Sequence, residues 1–161
     1  MTEQPSRPVR PHDHALSALR YTEVEVEGAD WALELEVTPQ IINSSGSIMG
    51  GLVATIMDLI ASFPLLFSED GFDQVTTTDL HVTFHAGARV GPVLVTAHVN
   101  RKGRTFASVR TEVYDKGADM AHVATGLLSF AGRMLGPEEQ HKVLSKEHRR
   151  ALVKGRPAPQ P

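Results

Sequence analysis

The residues best suited to chemistry fall in one stretch, 43–58. Asp58 stands inside the most apolar segment of the chain, LVATIMDLIASF at 52–63. A carboxylate is costly to bury there unless something pairs with it or hydrogen-bonds to it. Such a group can take a proton from water as a general base, or attack a carbonyl carbon directly. Seven and eight residues earlier, Gly51 and Gly50 stand where the apolar run begins. If that run is a helix, its first N–H groups are unpaired and lie at the positive end of the helix dipole. Two residues without side chains let a carbonyl oxygen approach those N–H groups, an oxyanion-hole arrangement. The same glycines also suit a tight loop-to-helix turn, and the two roles are compatible. Asn43, in PQIINSSGSIMGG at 39–51, either caps a turn or orients a water or substrate group.

Spacing adds a constraint. On a helix, Gly51 and Asp58 lie on nearly the same face but about 10 Å apart along the axis, too far to serve one carbonyl. Two antiparallel helices from two subunits would bring Asp58 of one opposite Gly51 of the other. The spacing therefore predicts an obligate homodimer with two composite sites, with dimer and tetramer both open as the final assembly.

The elements that must position these residues read as follows. Residues 20–27 (RYTEVEVE) and 31–37 (WALELEV) alternate with period two around a Gly28 turn, an antiparallel hairpin with one wet face. In the first strand Val24 and Val26 face one way and the glutamates the other. Residues 52–63 are apolar nearly all round, a buried helix that Pro64 should kink or end. Four more strands are expected at 74–84, 92–100, 104–114 and 118–131, the last three joined by short turns carrying Gly103 and Gly117. The order β-β-α-β-β-β-β makes the chain α+β, with a curved antiparallel sheet of about six strands wrapped around one long central helix. Asp13 should cap a short helix at 13–19. The expected organisation is a flexible tail at 1–12, one domain at 13–135, and a C-terminal helix and flexible tail at 136–161.

Composition narrows the function. With 161 residues, 41% of them apolar, the chain suits one domain. A formal net charge of −3 and no basic-aromatic stripe argue against nucleic acid as a partner. There is no cysteine, which excludes disulfides, thiolate metal ligation and a thiol nucleophile. No metal or cofactor is required, and His81, His85, His98 and His122 read as structural. No signal peptide is evident at the N-terminus and no apolar run reaches the length needed to span a bilayer, so a cytoplasmic protein without membrane contact is expected.

Three segments together resemble a known family. Asn43, Gly50, Gly51 and Asp58 match the spacing of the hotdog thioesterases of the phenylacetate-pathway type, which carry an Asn, then His-Gly-Gly, then an Asp nine residues after the His. The strand VTTTDLHVTF at 75–84 and the hairpin NRKGRTF at 100–106 are similar to further family segments. The resemblance covers roughly 20–131. It implies the hotdog fold, acyl-coenzyme A thioesters as substrate, hydrolysis to free acid and coenzyme A, and a homo-oligomer. It implies Asp58 as base or nucleophile, the Gly51 N–H as main oxyanion donor and Asn43 as an orienting group. Gly50 and Met49 flank the substrate. Thr77 matches a hydroxyl that helps hold water in some relatives, although simple alternation puts it on the face opposite Leu80, Val82 and Phe84. Arg101, Lys102 and Arg104 match a region near the coenzyme A phosphates, and Arg89 is a weaker candidate. Without the resemblance, such a basic turn reads as merely solvated.

Met49 stands where the family has histidine, and a thioether donates no normal hydrogen bond. That departure keeps a rival alive: a hotdog protein that binds acyl-CoA without hydrolysing it. Met49 equally suits the wall of an apolar acyl tunnel. A hydratase reading is disfavoured, because LIASFPLLF after Asp58 contains no histidine.

Overall fold

The computed structural model describes residues 15–136 and Glu139. The tail expected at 1–12 and the Asp13 cap lie outside the described residues, as does the C-terminal helix apart from Glu139. Ala15–Ala18 forms a single 3-10 turn in place of the short helix expected there.

Six strands and one helix follow in the expected order. They are β1 (Tyr21–Val24), β2 (Trp31–Leu35), α1 (Gly50–Phe67), β3 (Gln74–Phe84), β4 (Val93–Lys102), β5 (Phe106–Asp115) and β6 (Ala121–Arg133). They make one antiparallel sheet in the order β1-β2-β4-β5-β6-β3, with α1 packed against it. Alternation along β2, β4, β5 and β6 turns Leu33, Leu35, Val95, Val109, Val113, Leu128 and Phe130 inward, where they meet Ile56, Met57 and Ile60 of α1. Burial of such side chains contributes about 1.5–3 kcal/mol each and is what holds the helix on the sheet.

Several expectations needed correction. The first two strands are shorter than their alternation suggests. Gly28, at φ 79°, turns the chain early, and Asp30 accepts the Val99 N–H through its carboxylate at 2.7 Å. The inward residue of β1 is Tyr21, paired with Leu35, whereas Val24 pairs with Ala32 on the other face. Burial, helped by the charge of Glu23, raises the Tyr21 hydroxyl to a pKa of about 12.

The helix does not end at Pro64. It begins at Gly50, keeps Pro64 buried inside it and runs to Phe67. The last turn is held by Trp31, whose ring centroid lies 5.8 Å from Phe63 and 6.0 Å from Phe67. The Phe72 N–H also donates to the Leu65 carbonyl at 2.7 Å. These contacts offset the hydrogen bond that proline cannot make. At 18 residues and a mean hydropathy of 1.8, α1 is therefore long and apolar enough to cross a bilayer, contrary to the sequence reading. Its packing against the sheet shows a core helix. The helix is also less enclosed than its composition implies. Its buried side includes Val53, Ile56, Met57, Ile60 and Ala61, while Gly50, Gly51 and Thr55 are exposed.

The turn before β6 is longer than expected. After a 3-10 turn at Lys116–Ala118, Asp119 and Met120 adopt left-handed backbone, φ 52° and 57°, so β6 starts at Ala121.

Gly126 sets how closely helix and sheet approach. A Cβ there would lie 2.5 Å from Thr111 Oγ1 and 2.7 Å from the Met57 methyl. Gly126→Val should destabilise the fold by about 1–3 kcal/mol through overpacking, read as a lower urea midpoint. An unchanged midpoint would show that α1 lifts away from the sheet at little cost.

Candidate active site

The open flank of α1 and the edge strand β3 carry the site. Met49 is the residue before the helix, with φ −58° and ψ 128°. Its carbonyl accepts the Leu52 and Val53 N–H groups at 2.9 and 3.1 Å, and its own N–H donates to the Ile41 carbonyl at 2.9 Å. The N–H groups of Gly50 and Gly51 have no acceptor among the described residues. They lie at the positive end of the helix dipole, and both residues are exposed, with nothing within 4 Å of where a Gly51 Cβ would be. An oxygen carrying developing negative charge fits there.

Further along the same flank, Asp58 is half-buried rather than sealed in apolar surroundings. Its carboxylate accepts a hydrogen bond from Thr77 Oγ1 at 2.7 Å. This contact depends on a β-bulge. The β3–β6 register runs Thr77↔Phe130 and then Asp79↔Ser129, leaving Thr78 as an extra residue. Thr78 fills the gap by donating its hydroxyl to the Ser129 carbonyl at 3.1 Å. The bulge turns Thr77 to the helix side together with Leu80, Val82 and Phe84, so the expectation from simple alternation is overturned. One oxygen of Asp58 is thereby fixed, and the other has no hydrogen-bond partner among the described residues.

Asn43 ties up its own loop. Its side-chain carbonyl accepts the Ser45 N–H at 2.9 Å and the Ser45 hydroxyl at 2.7 Å, with the Ser47 N–H at 3.3 Å. Ile42 bridges Ile48 across this loop, so Asn43 sets the angle at which the chain enters α1. Of the two roles open to it, the turn-capping one accounts for these bonds.

The basic hairpin divides. Lys102 is engaged: its ammonium donates to the Asp70 carboxylate at 2.8 Å and the Asp70 carbonyl at 2.6 Å, and sits 4.9 Å above the Phe72 ring. That hydrogen bond and its charge hold the Asp70 carboxyl below its usual range. Arg101 and Arg104 are exposed and make no ion pair among the described residues, and Arg89 is likewise exposed. A cleft of about 240 Å³ lies beside Lys102, between Trp31, Pro64 and Val99, at the far end of α1 from Gly51.

Phe84 was not singled out from the sequence. Its ring packs over the first residue of the helix, 3.4 Å from where a Gly50 Cβ would be. A phenylalanine closing an alternating strand carries no local sign of that contact.

A single long helix lying on a six-stranded antiparallel sheet in this order is the hotdog fold, here with a glycine-opened helix start and a carboxylate two turns along. Residues 45–121 match the model of the thioesterase superfamily. Human acyl-coenzyme A thioesterase 13 is 34% identical over 101 residues, covering 62% of this chain and 66% of that protein, just under two thirds of its length. The crystal structure of zebrafish thioesterase superfamily member 2 superposes with a TM-score of 0.65 at 28% identity, covering 74% of this chain and 86% of that one. Its mouse counterpart gives 0.62 at 26% identity, covering 72% and 83%.

Proposed function

We propose that this protein hydrolyses acyl-CoA thioesters in composite sites formed by two copies of the chain. The observation that carries the reading is the open helix start at Gly50 and Gly51 on the same flank as the Asp58–Thr77 pair, in a chain that matches the thioesterase superfamily over residues 45–121. The substrate class follows the human relative, which is an acyl-coenzyme A thioesterase.

In this mechanism the Gly51 N–H, assisted by that of Gly50, receives the thioester oxygen. Asp58 of the other subunit takes a proton from water as the water oxygen bonds to the carbonyl carbon. The tetrahedral oxyanion collapses, the C–S bond breaks, and the proton passes from Asp58 to the departing thiolate. Direct attack by Asp58 would instead break the C–S bond, expel the thiolate of coenzyme A and leave a mixed anhydride on Asp58, which water then opens to free acid and carboxylate. Asn43 holds the loop that aims the helix start. Arg101 and Arg104 provide exposed guanidinium groups for the phosphates of coenzyme A, and Lys102 supports the hairpin.

Assembly is supported by β3. It is an edge strand of 11 residues, mostly exposed, whereas the opposite edge β1 has four. A long exposed edge with Leu80 and Phe84 on it invites pairing with another chain. The second reading, binding without hydrolysis, is favoured by Met49, which is 39% exposed at the helix start where the family has histidine.

Thiol release from short, medium, long and aromatic acyl-CoAs decides between them. Turnover on at least one substrate is the expected result. Binding without turnover would establish the second reading. Sedimentation in the same buffer should show a dimer or dimer of dimers, and a fully active monomer would refute the composite site.

A further inference from the structure

The site reading leaves Phe84 without a role, and its position gives it one. The helix start is open, and two apolar side chains border it. Met49 precedes the helix and is 39% exposed, and Phe84, 50% exposed, lies against Gly50. Phe84 ends β3 on the face shared with Leu80, 44% exposed, and half-buried Val82, so an apolar strip runs along β3 from the Asp58–Thr77 pair to Gly50 at the helix start. The polar groups that begin or follow this strip point elsewhere. Thr77 is committed to Asp58, and His85 lies 3.2 Å from the Thr125 hydroxyl through its Nε2.

We infer that Phe84 is a specificity-determining residue that admits unsubstituted hydrocarbon acyl groups and rejects those bearing a hydroxyl or carboxylate within the first few carbons. This rests on the thioesterase reading. A carbonyl held by the Gly50 and Gly51 N–H groups places its neighbouring carbons against the Phe84 ring and the Met49 thioether. A hydroxyl or carboxylate there loses water and finds no donor or acceptor in return. Discrimination against one added hydroxyl by an apolar wall reaches about a hundredfold at most.

The test compares kcat/KM for three acyl-CoAs of equal chain length: butanoyl, 3-hydroxybutanoyl and succinyl. Wild type should prefer butanoyl by about tenfold to a hundredfold over both. Phe84→Leu, which keeps an apolar wall, should retain the preference. Phe84→Thr, a good strand former with a hydroxyl, should shrink it severalfold, chiefly by losing butanoyl turnover. Thermal unfolding of both variants checks that the strand is intact. Turnover with equal rates on all three substrates in wild type would overturn the inference and leave the thioesterase reading standing. A preference identical in Phe84→Thr and wild type would also overturn it. Binding of all three without turnover by wild type, together with no turnover of medium, long and aromatic acyl-CoAs, would overturn the thioesterase reading itself, and this inference with it.

Discussion

Asp58→Asn should lower acyl-CoA turnover at least about a hundredfold while leaving the fold and its unfolding midpoint essentially unchanged. The side chains are nearly the same size, and the amide carbonyl still accepts the Thr77 hydroxyl that holds Asp58 at 2.7 Å. The substitution removes only the capacity to take a proton or to attack as a carboxylate. An amide can do neither, so the loss should appear in kcat with little change in substrate affinity. Thiol release by wild type and variant in parallel, with thermal unfolding as control, provides the measurement. Near-normal turnover in a folded variant would remove Asp58 from the chemistry and shift attention to the helix start alone.

The second large effect concerns stability. Asp115, at the end of β5, is fully buried, at 0% exposure. It accepts the N–H groups of Arg89, Val90 and Gly91 at 2.8, 2.9 and 2.7 Å, fastening the β3–β4 connection to the sheet. Burial pushes its carboxyl upward, but the N–H groups of Val90, Arg89, Gly91 and Ala118 together outweigh burial and hold it below the usual carboxylate range. Asp115→Ala strips the acceptor from successive amides, and a loss of about 3 kcal/mol or more is expected, since hydrogen bonds to a charged partner are the strong ones. Asp115→Asn keeps one oxygen and should cost less.

The pH dependence follows from the direction of that shift. A carboxyl lowered on folding stabilises fully above its unfolded value, near about 3.9, and the contribution fades as pH falls through the folded value. The gap in urea midpoint between wild type and Asp115→Ala should therefore be full at about pH 7 and narrow below about pH 4. A gap that stays constant down to about pH 3 would show that charge is not its source.

Thr77 shows where reading along the chain stops. Period-two counting sets it opposite Leu80, yet the bulge at Thr78 brings both to the helix side. The bulge is stabilised by a bond to Ser129, 51 residues away, which no local window contains. Lys102 is a similar case: its neighbours in sequence suggest a free basic turn, and it is Asp70 and Phe72, 30 or so residues earlier, that engage it. Of the two effects expected of Pro64, a kink or an end, the helix does not end there, because Trp31 from β2 packs on Phe63 and Phe67 around the turn that proline weakens.

Local pattern by itself determined the kinds and order of elements, the α+β class, and the glycine–aspartate spacing on one helix flank, because those depend on the 2.0 and 3.6 residue periods of the backbone. The tertiary structure alone decided that Asp58 stands on an open flank with Thr77 as its partner, that Phe84 borders the helix start and that Asp115 clamps a connection. Each of these is a contact between segments distant in sequence, and its energy comes from packing and hydrogen bonding that exist only once the sheet and helix have met.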